Sequence, residues 1–155
     1  MDTQDMTDLL NRAISLEYGG AIQYSQNSLL LQGLDREIHA DFFEKMSECS
    51  FGHARKIGGY VVGLGGIPTV EPAPIQQTTD LTEMLNLALE LEQAALATYS
   101  KGVDVAADNV PFRVMLEDMA HEEYTHQLEI QKILSKLTLQ IPAASREIKL
   151  KQALG

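Results

Sequence analysis

The stretch PFRVMLEDMAHEEYTHQLEIQKILSKL, Pro111 to Leu137, carries the step Glu123-Tyr124-Thr125-His126 in its middle. Pro111 suits the first turn of a helix, and the apolar spacing behind it is helical. Three residues of helix turn about 300°, so Glu123 and His126 stand about 60° apart on one face and can grip one cation. Alone, such a step is more simply read as a solvated helix face. Its meaning depends on what the other helices bring to it.

Outward from this segment the pattern stays helical. Helices are expected over about residues 5–31, 36–64, 81–107 and 111–137, with a short, more basic one over 143–153 after Pro142. Gly33 suits a C-terminal cap and Asp35 can cap the second helix. Gly65, Gly66 and Pro68 end that helix, and residues 67–79, with Pro68, Pro72 and Pro74, read as an extended crossover. Asp80-Leu81-Thr82-Glu83 resembles a capping box. Helices of about 25 residues are roughly 38 Å long. Two short connections and one long one predict two antiparallel hairpins joined by a crossover, an all-α four-helix bundle in a single domain spanning residues 1–155.

The chain also repeats itself. Shifting residues 9–25 by 75 lays them on 84–100 with seven identities in seventeen positions: Leu10 on Leu85, Asn11 on Asn86, Ala13 on Ala88, Leu16 on Leu91, Glu17 on Glu92, Tyr24 on Tyr99 and Ser25 on Ser100. A shift of 73 lays Glu44 on Glu117, Met46 on Met119, His53 on His126 and Ile57 on Ile130. A duplicated helical hairpin explains both. Glu17 and Glu92 sit within apolar faces, beside Leu16 and Leu91, where an unpaired carboxylate is costly.

Charge and composition narrow the function. The net charge of -10 argues against nucleic acid, which needs clustered Lys or Arg, and suits the attraction of cations. One cysteine, Cys49, excludes an intrachain disulfide and a four-cysteine metal site. The longest apolar stretch, Val61 to Ile67, is too short for a membrane span. The acidic opening Met1-Asp2-Thr3-Gln4-Asp5 has no apolar leader segment, so the cytoplasm is the expected compartment.

Over nearly its full length the chain resembles bacterioferritin and its non-haem, ferritin-like di-iron carboxylate relatives. The resemblance implies a ferritin-like four-helix bundle in which a glutamate from each of two helices and a Glu-x-x-His from each of the other two surround a di-iron centre. On the matching positions it implies Glu17, His53, Glu92, Glu123 and His126 as metal ligands. His53-Ala54 and Leu64-Gly65-Gly66-Ile67-Pro68 are similar to the family's second helix as well. One position departs: Ser50 stands three before His53, where the family has the second bridging carboxylate. The haem-bearing methionine of bacterioferritin falls at Phe51, so no haem is expected through that residue.

Around this set several residues keep two readings. Cys49, four before His53, is roughly on the same face, as a small core residue or a ligand. Glu48, five before it, is about 140° away on a regular helix. Glu90 rivals Glu92, although the repeat favours Glu92. His39 and His121 read as surface residues. Tyr24 and Tyr99 read as packing residues bonded to buried glutamates, and Tyr24 and Ser50 are also candidate catalytic positions.

The preferred reading is an iron-binding protein that oxidises Fe(II) with O₂ or peroxide, for iron storage or detoxification. Manganese and zinc are alternative metals. The implied partners are metal ions and further copies of the chain, from a dimer up to a cage, with no membrane. Two rivals remain: a structural or mixed-assembly subunit with a decayed site, and a rubrerythrin-like peroxide reductase, against which the missing cysteine pairs argue.

Overall fold

A computed structural model of the chain, which describes residues 3–106 and 108–135, contains four helices: α1 Thr3–Leu30, α2 Gly33–Gly63, α3 Leu81–Val105 and α4 Val110–Leu134. The expected helix over 143–153, and residues 136–137 of the fourth, lie outside the described residues. No strand occurs among the described residues. None of these helices is long and apolar enough to cross a membrane.

Local chemistry accounts for most of the boundaries. The α1–α2 turn passes through Gly33 at φ 60°, and α2 begins there. The capping position is Gln32, which makes no side-chain capping bond, so Asp35 is not the cap. It lies in the first turn instead, where its charge faces the positive end of the helix dipole. At the other end of α2, Gly65 at φ 80° donates to Val62 O and Gly66 donates to Val61 O. This paired closure is the one that a left-handed glycine after a helix permits. Asp80 caps α3 by accepting from Glu83 N at 2.7 Å. The reciprocal half of the box is displaced: the Glu83 carboxylate takes a hydrogen bond from Thr78 Oγ1, and Asp80 N donates to that hydroxyl. Asn109 caps α4 through Phe112 N, with Pro111 in the first turn.

The helices pack α1 on α2 and α3 on α4, with α1 also against α3. The crossover is stitched along α1. Asn11 donates to Ile67 O and accepts from Thr69 N, Ala73 N donates to Ser15 O at 2.7 Å, and Gln23 both donates to and accepts from the Gln76 backbone. Gly19 allows the approach, because a Cβ there would stand 2.9 Å from the Ala73 Cβ.

The apolar core divides in two. One half gathers Leu10, Ile14, Ile57, Val61, Tyr99, Phe112, Leu116 and Met119 among others. The second gathers Tyr24, Leu31, Phe43, Met46, Met84, Leu85 and Ile130. The first uses the start of α1 and the end of α2, and the second the reverse, as antiparallel hairpins require. Between the two halves lies a layer that is not apolar.

Candidate metal centre

That middle layer contains Glu17 from α1, Ser50 and His53 from α2, Glu92 from α3, and Glu123 from α4, each no more than 6% exposed. His126 joins them from α4 with a side chain 21% exposed. Three carboxylates at 2–3% exposure would each cost several kcal/mol, in order of magnitude, if left unpaired. Here they are paired in a pattern that follows the internal repeat. Tyr99 donates its hydroxyl to Glu17, and Tyr24 donates to Glu92. Each half of the duplicated chain thus supplies the tyrosine that holds the glutamate of the other half.

The histidines complete two overlapping groups. His53 Nδ1 lies 3.3 Å from Glu17 Oε1 and 2.9 Å from Glu123 Oε1. His126 Nδ1 lies 3.0 Å from Glu92 Oε2 and 3.4 Å from Glu123 Oε2. In both groups, Glu17–His53–Glu123 and Glu92–Glu123–His126, one ligand atom per residue falls within 4.8 Å of the others. Glu123 belongs to both, one oxygen to each side. The two rings face each other 6.4 Å apart and nearly parallel, at 24°. Although His53 Nδ1 approaches Glu123 Oε1 closely, the alignment makes no hydrogen bond, so this fully buried oxygen has a charge neighbour but no hydrogen-bond donor. A buried acceptor in that state is one a cation would satisfy. The donor set, carboxylate oxygens and imidazole nitrogens, fits iron or manganese.

Without a cation, protons hold the layer together. Burial first, and a hydrogen bond with Glu92 next, push Glu123 up to about 8, so it carries the shared proton. For Glu92 burial acts upward but is outweighed by hydrogen bonds to Glu123 and His126, leaving its carboxyl below the usual range. Burial likewise works against the charged form of both histidines. It is overcome by hydrogen bonds to Cys49 and to the carboxylates, which raise His53 strongly and push His126 up to about 12. Burial raises both tyrosines well above their ordinary value, so they remain hydroxyl donors.

All five residues expected as ligands meet in this layer. Of the alternatives, Glu90 and Glu48 are exposed and outside it. Ser50 is buried, and its Oγ lies 3.0 Å from where a Cβ on Gly20 would stand. Cys49 is half-buried on the outer side of the two histidine rings. Phe51 is half-exposed, its ring 6.1 Å from that of Tyr18. Neither His39 nor His121 joins a cluster of candidate ligands among the described residues. One contact was missed from the sequence: Glu122 Oε2 lies 2.8 Å from His53 Nε2. Its signal was available, since the 73-residue shift lays Cys49 on Glu122.

A four-helix bundle whose middle layer holds three buried glutamates and two histidines has the make-up of a carboxylate-bridged metal protein. The chain belongs to the ferritin-like domain family, whose model matches residues 7–139. Among solved structures it is similar to a ferritin-like, diiron-carboxylate protein of Bacillus anthracis str. Ames, at 30% identity over 87% of this chain and 100% of that one, TM-score 0.83. It shares its fold with the Rhodobacter capsulatus bacterioferritin, at 22% identity over 84% of each chain, TM-score 0.76. The same fold occurs in the bacterioferritin-related dodecameric thioferritin of Bacteroides fragilis, at 20% identity over 99% of this chain and 92% of that one, TM-score 0.80. No curated protein matches.

Proposed function

We propose that this protein binds iron and oxidises Fe(II) at a two-metal centre made by Glu17, His53, Glu92, Glu123 and His126, in a single ferritin-like domain. The observation that carries the reading is the pair of buried carboxylate–histidine groups that share Glu123. Iron is the substrate, and two ions side by side supply the electrons that O₂ or peroxide takes up. Glu123 would serve both positions once its proton leaves. Glu92 and His126 would complete one position, and Glu17 and His53 the other. Tyr24 and Tyr99 hold Glu92 and Glu17 by their outer hydrogen bonds, the kind of support that fixes a ligand's orientation. Ser50 gives the centre one carboxylate fewer than its symmetry calls for, which weakens affinity for a second hard cation.

Assembly with further copies of the chain accompanies this reading. Leu29, Leu34, Val62, Ile67 and Val70 are 60–85% exposed, apolar side chains that further copies of the chain would cover. The Bacteroides fragilis protein, with the same fold, is dodecameric.

His126→Ala is the direct test. Loss of one neutral ligand should remove most bound iron, measured on purified protein, and slow Fe(II) oxidation while helicity stays unchanged. Iron stoichiometry equal to that of the parent would overturn the assignment of α4, whereas no bound iron in the parent itself would favour a structural subunit whose metal site has decayed.

A further inference from the structure

The two histidines face two ways. Their Nδ1 atoms meet the buried carboxylates at 2.9–3.4 Å. Their Nε2 atoms turn outward to a second set of ligand-type groups. Cys49 Sγ lies 3.6 Å from His53 Nε2 and 3.8 Å from His126 Nε2, and Glu122 Oε2 lies 2.8 Å from His53 Nε2. Cys49, His53 and Glu122 each place one ligand atom within 4.8 Å of the others. The duplication relates the two outer residues, because Cys49 falls on Glu122 under the same shift that lays Ser50 on Glu123.

The spacing is that of a coordination shell. Sulfur at about 2.3 Å and nitrogen at about 2.0 Å from a tetrahedral ion stand roughly 3.5 Å apart, close to the 3.6 Å between Cys49 Sγ and His53 Nε2. The position also opens to solvent: the Glu122 side chain is 48% exposed and that of His126 21%, against 3% for Glu123. We propose that Cys49 Sγ, His53 Nε2 and Glu122 form an outer site for one divalent ion of the zinc type, open to solvent for its fourth ligand and separate from the buried two-metal centre. Thiolate and imidazole select such an ion over the hard cations that the carboxylates suit. A neutral imidazole has a single lone pair, so His53, which belongs to an inner and an outer group, serves one site at a time. An ion outside therefore competes for His53 with iron inside, a consequence that rests on the inner-centre reading above.

Cobalt(II), a spectroscopic stand-in for zinc, tests the site on the full, metal-free chain. Bound to the sole cysteine it gives an intense near-ultraviolet sulfur-to-cobalt band, whereas a site of only oxygen and nitrogen gives weak visible bands. The sulfur band should appear in the parent and vanish in Cys49→Ser. Glu122→Gln should shift its half-saturation to about tenfold more cobalt. It should survive in the double variant Glu17→Gln with Glu92→Gln, which disables the inner centre. No sulfur band in the parent at saturating cobalt overturns the outer site. So does a band lost in that double variant while circular dichroism shows it folded, because sulfur then serves the inner centre. Failure of the inner-centre reading appears separately, as absence of the weak visible bands from Cys49→Ser.

Discussion

Tyr24 and Tyr99 show how single side chains set the protonation of the layer. Each is fully or nearly fully buried, and each gives its one proton to a glutamate contributed by the opposite hairpin. Tyr99→Phe leaves Glu17 short of a donor in a dry site, which should destabilise the metal-free protein by about 1–3 kcal/mol. Tyr24→Phe should cost a similar amount through Glu92, and denaturant unfolding of the two variants checks the equivalence. Glu123 makes a pH-dependent contribution of definite sign. Its carboxyl rises from the ordinary 4.5 to about 8 on folding, so between those values the folded state binds more protons than the unfolded one. Stability then falls as pH rises through that window. For His126, raised from 6.5 to about 12, the stabilising contribution is full below 6.5 and is lost as pH climbs beyond it. The melting temperature of the metal-free protein should therefore fall from pH 4.5 upward. Glu123→Gln should flatten the part below 6.5, and an unchanged slope there would show that Glu123 is not the proton carrier. Glu17, Glu92, Glu123, His53 and His126 were candidates through the internal repeat and the family resemblance together with helical spacing, which reports only which face of a helix a residue occupies. Spacing does not report which ring nitrogen a histidine turns to each side, and so the outward contacts of Cys49 and Glu122 needed coordinates.

Among the elements, the crossover between α2 and α3 shows why a segment without secondary structure of its own still has a defined path. Its backbone polar groups are met by Asn11, Ser15 and Gln23, which recur along one side of α1. Prolines marked this segment as extended in the sequence. Its partners were not legible, because polar residues at positions 11 and 23 of a helix read equally well as solvent-facing. Gly19→Ala would bring a methyl within 2.9 Å of Ala73 Cβ and 3.0 Å of its carbonyl oxygen. The crossover must then lift from α1, at a cost of about 1–3 kcal/mol, with protease nicking near Ala73 as a second readout. Unchanged stability and nicking would mean that the strap is not held by this contact. Helix boundaries were legible wherever a residue has one dominant role: Gly65 at φ 80°, Asp80 as a cap, Pro111 in a first turn. At the α1–α2 turn, Gly33 and Asp35 offered competing signals. The positive φ at Gly33 let α2 start earlier than Asp35 allows.

At the scale of the molecule, a polar layer separates two apolar halves, and the duplication makes that layer nearly symmetric. Glu17 mirrors Glu92, Tyr24 mirrors Tyr99, and His53 mirrors His126, while Ser50 faces Glu123 as the one unequal inner pair. The whole bundle pays for this layer when no cation is present, through desolvated carboxylates held by shared protons. Ser50→Glu restores the symmetry and turns this tension into a measurable quantity. A fourth carboxylate beside Glu17, Glu92 and Glu123 adds like charge in a low-dielectric layer, so the metal-free variant should melt several degrees below the parent. Fe(II) or Mn(II) should reverse the order, because an ion that binds only the folded state stabilises it by mass action: about 2.7 kcal/mol at a hundredfold excess over the dissociation constant. The initial rate of Fe(II) oxidation should rise as the Glu17–His53 position gains its missing charge. Metal-free and metal-loaded melting curves, with the oxidation rate, decide the matter together. A variant that gains neither affinity nor rate, though folded, would show that position 50 does not reach the centre. The asymmetry between Ser50 and Glu123 would then belong to packing against Gly20 rather than to metal chemistry.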